Sequence, residues 1–432
     1  MTAMPYGVAD DEKLDVRAGR GRARAPQRAR PEARERHFLF LRGPFGAFFA
    51  DIAASLKARG LKVSKVVFDG GDLSDWGLLQ PHAAYRDSEQ AWPLWIDRFM
   101  REEKVTDLVV FNDCIEVHTQ AITVARRAGI NVHVFEEGYF RPRWITLEND
   151  GVNAYSPSPR DPDFYRERGE ALDRSPAGDG DVGRPTAWLI GRAIGHYTWK
   201  ILLAPFYPRR RNPFALPVLD QIVGSVLRYW KNRLGRAEVK RRVERLVRSD
   251  RPFFLALMQR AGDSQLWRHS NYTNESFAAE VIESFAAHAP ADARLAFKLH
   301  PLDPGMVDYE RMVRDHARAR GVGERVVFLD GGNLNVLAHK ARGAVTINST
   351  AGLATIGFSC PTKVLGRAVY DIDGLTDRKP LARFWLDPQK PDHELFLKFR
   401  NVVMTRTQIN GSFYTPRGIR MAAERAAERL AS

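Results

Sequence analysis

No stretch of this sequence reaches the roughly 20 consecutive apolar residues that cross a bilayer as a helix. The nearest candidate, Trp188 to Tyr207, is broken by Arg192, His196 and Lys200. The N-terminal stretch has no apolar core of the signal-peptide kind, so a cytoplasmic chain is expected. Cysteine is scarce. Cys114 and Cys360 lie far apart at strand–loop junctions, which reads as two buried free thiols in a reducing compartment. No internal repeat is evident, and no nucleic-acid module accompanies the net charge of +14.

What is present is an ordinary globular balance, with 44% hydrophobic and 27% charged residues over 432 positions. That length suits two or three domains at roughly 100–200 residues each. The basic excess is local: residues 192–248 carry fourteen Lys/Arg against three Asp/Glu. Trp188, Trp199, Phe206, Tyr207, Tyr229 and Trp230 fall in or beside that stretch. Aromatics among cations suit an anionic membrane surface; a helical subdomain with a solvated basic face is the plainer reading. Residues 1–36, rich in Arg, Ala, Gly and Pro, read as a disordered tail.

From His37 short apolar runs alternate with helix-length amphipathic segments. The runs are Phe38–Leu41, Val63–Phe68, Leu108–Phe111 and Val132–Phe135, then Phe253–Leu257, Leu295–Leu299, Val326–Leu329, Ala344–Ile347 and Lys363–Leu365. The alternation predicts an α/β protein with two parallel-sheet halves. The expected organisation is a first Rossmann-like domain over 37–158, a linker and basic aromatic helical insert over 159–250, a second Rossmann-like domain over 251–395, and a helical segment over 396–432. Within the last, Arg417–Leu430 reads as an amphipathic helix.

Ligands of such sheets bind beyond the carboxyl ends of the strands, so the residues just past each run matter. In the first half these are Arg42-Gly43-Pro44-Phe45-Gly46, Asp69-Gly70-Gly71-Asp72, Asn112-Asp113 and Glu136-Glu137-Gly138. Gly and Asp are ordinary turn residues; paired glutamates at a strand end are not. In the second half Lys298 precedes His300-Pro301, and Ile347 leads into Asn348-Ser349-Thr350-Ala351-Gly352. The latter looks like a helix start with free N–H groups and hydroxyls suited to phosphate, although a plain N-cap explains it equally. Gln259, Asp263, Ser264 and Gln265 come after the first strand of this half and are placed along the cleft. Carboxylates in one half and anion-binding groups in the other suit an enzyme that takes a nucleotide-sugar and an acceptor.

Phe38 to Gly46, Phe135 to Pro142 with Trp144 to Glu148, Lys298 to Asp303 and Asn348 to Gly352 together resemble the KpsS/KpsC capsule-synthesis family over about residues 37–380. The single two-half module points to the KpsS branch. The resemblance implies a GT-B-like fold and a retaining β-Kdo transferase. It implies CMP-Kdo as donor, a phosphatidylglycerol-type lipid acceptor, and work at the anionic cytoplasmic face of the inner membrane beside other capsule assembly proteins. No cofactor, metal or nucleic acid is expected; Asp371-Ile-Asp373 matches a metal-binding pattern common by chance. On this reading His300, with Pro301, Lys298, Asn348, Ser349 and Thr350, binds the CMP phosphate. Glu137 is the nucleophile, Glu136 its orienter or acid/base partner, and Asp113 a second candidate carboxylate. Arg42 and Arg141 bind the Kdo carboxylate or form salt bridges; Gly43 admits the ligand or makes a turn; Gln259 lines the cleft. The alternative is a non-catalytic component of capsule assembly and export that binds lipid-linked polymer.

Overall fold

A computed structural model describes residues 36–172, 181–183, 187–208, 218–263, 266 and 269–432. The N-terminal tail expectation and Ser264 and Gln265 lie outside these, as do the side chains of Tyr229 and Trp230. The described part of residues 33–432 forms one compact unit containing two sheets.

The first sheet is built from β1 (His37–Phe40), β2 (Lys62–Val67), β3 (Ala83–Ala84), β4 (Asp107–Phe111), β5 (Asn131–Glu137), β6 (Trp144–Asn149) and β12 (Gln408–Asn410), in the order β12-β6-β5-β4-β1-β2-β3. From β3 to β5 the pairing is parallel; β6 and β12 pair antiparallel. The second sheet is wholly parallel: β7 (Phe253–Leu257), β8 (Arg294–Lys298), β9 (Val326–Leu329), β10 (Gly343–Thr346) and β11 (Thr362–Val364), in the order β11-β10-β7-β8-β9. All nine apolar runs are strands to within about a residue. The two parallel sheets with helices on both faces are the expected α/β, GT-B-like class.

The order fixes where ligands can enter. Strand order reverses between β1 and β4 in the first sheet and between β7 and β10 in the second. Crevices therefore open beside Arg42 and Asp113 on one side, and beside Gln259 and Ser349 on the other.

Burial matches the sequence pattern. In the helix Phe48–Ala58, Phe48, Phe49, Ile52, Ala53 and Leu56 form one buried stripe. That stripe packs on the first sheet together with Ile409, Phe413, Ile419, Ala422 and Ala426 from the C-terminal region. The opposite face is covered by the helices Trp92–Glu102 and Glu116–Ala128. The second sheet is covered on one face by the helices Asn274–His288 and Tyr309–Ala319 with Phe384 and Trp385, and on the other by Leu246 and Leu337. Asn274–His288 begins at a reciprocal cap in which Thr273 and Ser276 satisfy each other's backbone N–H groups.

The middle and terminal segments differ in detail from expectation. Arg36, assigned to the tail, pairs with buried Asp107 at 2.7 Å. The helix Pro162–Glu170 packs on His393–Thr407 through Gly169, where an added Cβ would sit 2.4 Å from Lys398 Cβ. The insert holds two described helices, Ala187–Leu202 and Val218–Val247. The C-terminal stretch contains β12 as well as the amphipathic helix, observed as Pro416–Ala431.

Candidate functional site

At the β4 exit, Asn112 adopts a left-handed conformation, φ 66°, and its side chain accepts the Cys114 N–H at 2.8 Å. This turn places Asp113, which is 7% exposed. Its Oδ2 accepts the Val152 N–H at 3.0 Å. Its Oδ1 lies 3.3 Å from Nε2 of His269, a fully buried residue located after β7 of the other sheet. His269 Nδ1 accepts the Ala154 N–H at 3.4 Å, so Nε2 carries the proton toward Asp113.

Among the described residues, Asp113, Cys114 and His269 also have the donor types and spacing of a metal centre, with ligand atoms within 4.8 Å of one another. Hydrogen bonding accounts for that spacing. Cys114 Sγ is 3.3 Å from Asp113 Oδ1 and 3.2 Å from His269 Nε2. Burial and the Asp113 carboxylate push the thiol far up, which keeps it a protonated donor. Of the pair read as a chance metal motif, Asp371 accepts from Thr376 at 2.8 Å and pairs with Arg378 at 3.0 Å. Asp373 caps the Gly374 N–H at 3.0 Å.

The β5 exit carries the glutamate pair. Glu136 is buried, and its Oε1 accepts the Glu137 N–H at 2.9 Å. Its Oε2 is buried and has no hydrogen-bond partner among the described residues. Burial pushes this carboxyl up to about 8; the Glu137 and Asp113 carboxylates add to the rise, against the opposing Glu137 N–H bond. Glu137 is more open, with 19% of its side chain exposed. Its Oε1 accepts a short hydrogen bond from the Tyr414 hydroxyl, and its Oε2 lies 3.9 Å from Arg141 Nε. The glycine after the pair is required by packing: a Cβ on Gly138 would sit 1.9 Å from the Trp144 carbonyl oxygen in β6.

Across from these stand the second-sheet residues. His300 Nδ1 accepts the Leu302 N–H at 3.1 Å, leaving Nε2 as the donor. Burial lowers its pKa to about 4, and the charges of Arg141 and Lys298 push the same way. Arg141, beside Glu137, thus acts on His300 as well. Lys298 is buried and held below the usual lysine range by that burial.

The His300–Pro301 loop is pinned by Arg228 from the helix Val218–Val247. Arg228 donates to the His300 and Pro301 carbonyls, each at 3.0 Å, and to that of Asp303, and it pairs with Asp330. Asn348 is 1% exposed. Ser349 Oγ accepts the Ala351 N–H at 3.2 Å, so it serves as a helix cap; Thr350 is half-buried at the start of Ala351–Gly357. Gln259, 3% exposed, is braced against Asn274, with one amide oxygen buried and unpartnered.

Beyond the contacts of His269, Asn153 ties the edges together: its Nδ2 donates to the Asn348 carbonyl at 3.3 Å and its Oδ1 accepts the Val369 N–H at 3.2 Å. The structure therefore brings Asp113, Glu136, Glu137, Arg141, His300 and Asn348 into one region. A hollow of about 430 Å³ lined by Arg242, Arg294 and Arg318 lies instead at the amino ends of β8 and β9.

Two candidates take different places. Arg42 is buried and pairs with Asp69 at 3.1 Å, inside a network that also holds Lys65, Asp72 and Lys200. A Cβ on Gly43 would meet the Phe49 ring at 2.9 Å, so packing explains that glycine. Asp69-Gly70-Gly71-Asp72 is a helix start capped by Asp69. A Cβ on Gly70 would lie 2.2 Å from the Trp199 carbonyl oxygen and one on Gly71 2.5 Å from His196. These glycines let the insert helix dock.

His269, Arg228, Asn153 and Tyr414 were not identified from sequence. Each acts across more than a hundred residues or from a loop without periodicity. The only local signal was His269 within the loop after β7.

A family model described as "Capsule polysaccharide biosynthesis protein" matches residues 106–414. The chain is 35% identical to the capsule polysaccharide export protein KpsS of Escherichia coli over 383 residues, covering 87% of this chain and 96% of that protein. It is 36% identical to the capsule polysaccharide modification protein LipB of Neisseria meningitidis (serogroup A), covering 88% and 92%. Among solved structures, the KpsC β-Kdo 2,7-transferase of Thermosulfurimonas dismutans aligns with TM-score 0.44 and 15% identity, covering 92% and 99%. The matched region includes Asp113, Glu136, Glu137, His300 and Ser349, and the chain belongs to the capsule polysaccharide biosynthesis protein family.

Proposed function

We propose that this protein is a metal-independent, retaining β-Kdo transferase that moves Kdo from CMP-Kdo to a phosphatidylglycerol-type lipid at the anionic cytoplasmic face of the inner membrane. Family membership supports a role in making capsule polysaccharide. The observation that carries the reaction type is Glu136: a buried carboxyl with one unpartnered oxygen and a pKa near 8, set beside two further carboxylates. Such tuning is the signature of a proton-transfer group.

In this reading the His300 Nε2–H, Lys298 and the Ser349–Thr350 turn hold the phosphate of CMP. Glu137 attacks the anomeric carbon as the bond to the phosphate oxygen breaks, and CMP leaves with the bonding electrons. The donated hydrogen bond from His300 stabilises that departing charge. The acceptor hydroxyl then attacks the same carbon, the bond to Glu137 breaks, and the hydroxyl proton passes to the ionised form of Glu136, which returns it to solvent before the next turnover. Two displacements return the original anomeric configuration. Tyr414 and Arg141 complement the Glu137 carboxylate, and Arg141 also sits where the Kdo carboxylate would lie. Asp113, its two oxygens engaged by Val152, His269 and Cys114, holds the two edges in register.

The test is incubation with CMP-Kdo and a phosphatidylglycerol analogue, reading CMP release and a Kdo–lipid product by mass spectrometry. Without acceptor, intact-mass analysis should find one Kdo on the enzyme, absent in Glu137→Gln. A folded sample that binds lipid yet releases no CMP would favour the non-catalytic role. A Kdo adduct mapped to Asp113 would move the nucleophile there.

A further inference from the structure

The insert helix Ala187–Leu202 is turned the opposite way from a helix on a soluble surface, which buries its apolar stripe and exposes its charges. Residues four apart share a helix face. Arg192, His196 and Lys200 form one such row, and it faces inward. Arg192 and His196 pair with Asp75 at 3.2 and 2.7 Å, and Lys200 lies 3.8 Å from Asp69. Ile190, Ile194 and Ile201 form the opposite row and are 63%, 62% and 73% exposed. Leu202 and Phe206 extend it, at 60% and 58%. Of the aromatics singled out in the sequence, Phe206 belongs to this surface. Tyr207 is buried against Val67 and Leu73, and Trp188 packs on the first-sheet core.

We infer that Ile190, Ile194, Ile201, Leu202 and Phe206 are the seat by which this protein lies on an anionic lipid bilayer, the helix in the plane of the interface. The inference rests on the lipid-acceptor reading above and names its surface. Sixteen residues make a helix about 24 Å long with two inward cations and a histidine, too short and too polar to cross a membrane. An exposed apolar row beside an excess of positive charge is what an interfacial helix presents. The neighbouring sequence supplies that charge: apart from Arg192, Lys200 and Arg228, which are turned inward, eleven Lys/Arg stand against three Asp/Glu over 192–248, with Arg209-Arg210-Arg211 shortly after Phe206. The same excess opposes a second copy of this chain, which would set like charge against like.

The experiment uses the full chain and sedimentation with vesicles of phosphatidylcholine alone or mixed with phosphatidylglycerol. The variant is Ile190→Asp/Ile194→Asp/Ile201→Asp, with Leu79→Asp, at a fully exposed leucine elsewhere, as control. Binding to the anionic vesicles should fall about tenfold or more in the triple variant, and in the unchanged protein on raising salt from about 0.1 M to about 0.5 M. The control should bind like the unchanged protein, and an Ile→Leu triple should retain binding, which separates lost apolar contact from misfolding. Unaltered binding by a folded Ile→Asp triple overturns the inference. So does unaltered vesicle binding with loss of self-association, which assigns the row to a second copy. CMP release with a water-soluble acceptor head group reads the chemistry separately. If docking falls in the triple while no form of the protein releases CMP, the seat stands and the transferase reading fails.

Discussion

The two edges that meet in this site are held by different means. On the first sheet, Glu136, Glu137 and Asp113 crowd together, and the crowding with burial keeps a proton on Glu136. On the second, burial keeps the His300 imidazole neutral, and nearby cations, Lys298 among them, push the same way. There one residue outside the sheet, Arg228, clamps three carbonyls of the His300–Pro301–Asp303 loop. One edge is thus electrostatically loaded and the other mechanically fixed. On the proposed reading, proton transfer belongs to the first and phosphate recognition to the second.

Removing the loaded carboxyl tests that division hardest. Glu136→Gln should lower the transfer rate by about 10²–10⁴-fold while CMP still binds, as measured by steady-state kinetics and calorimetry. The unchanged enzyme should gain rate as pH rises toward about 8 and the base form appears. Stability gives the opposite sign. Between the ordinary 4.5 and about 8 the folded chain keeps a proton the unfolded chain has released, so stability falls as pH rises through that window. Urea titrations of Glu136→Gln should lack this component.

Breaking the clamp comes next. Arg228→Ala removes one partner from Asp330 and from each of three carbonyls, and should cost about 3–5 kcal/mol of stability in urea unfolding, with weaker CMP binding. His300→Ala should reduce turnover by about 10²–10³-fold with little loss of stability at neutral pH. Because its folded pKa lies near 4, the neutral form contributes stability above 6.5 that is lost as pH falls toward 4. The variant should be less sensitive over that range. The smallest effect is expected of Tyr414→Phe, which removes one hydrogen bond to Glu137. About 1 kcal/mol, roughly fivefold in rate, is expected, and a larger loss would make the hydroxyl part of the chemistry.

The parallel strands were legible because apolar runs of three to six residues recur at helix-length spacing. The strand-end rule then pointed to Glu136, His300 and Ser349 without coordinates. At Arg42 the structure shows the salt-bridge alternative, and at Gly70-Gly71 a helix contact, because residues beyond a strand can equally serve a buried ion pair or helix packing. β6 and β12 were not read as strands. β6 lies inside a stretch read for its motif, and β12 has three residues and no alternation. His269 and Arg228 were beyond reach, since neither sits at a strand end and both act on partners more than 70 residues away.

The last strand has a consequence for synthesis. β12 edges the first sheet through β6, and Phe413 and Pro416–Ala431 cover the apolar face that holds Phe48 and Phe135. A ribosome adding roughly 5–20 residues per second therefore leaves that face covered by the helix Phe48–Ala58 but not by the C-terminal segments for the whole time the second sheet is being made. The second sheet needs only residues 253–364. The half encoded first is the half completed last, and a chaperone that shields nascent apolar surface would be most needed by the N-terminal half.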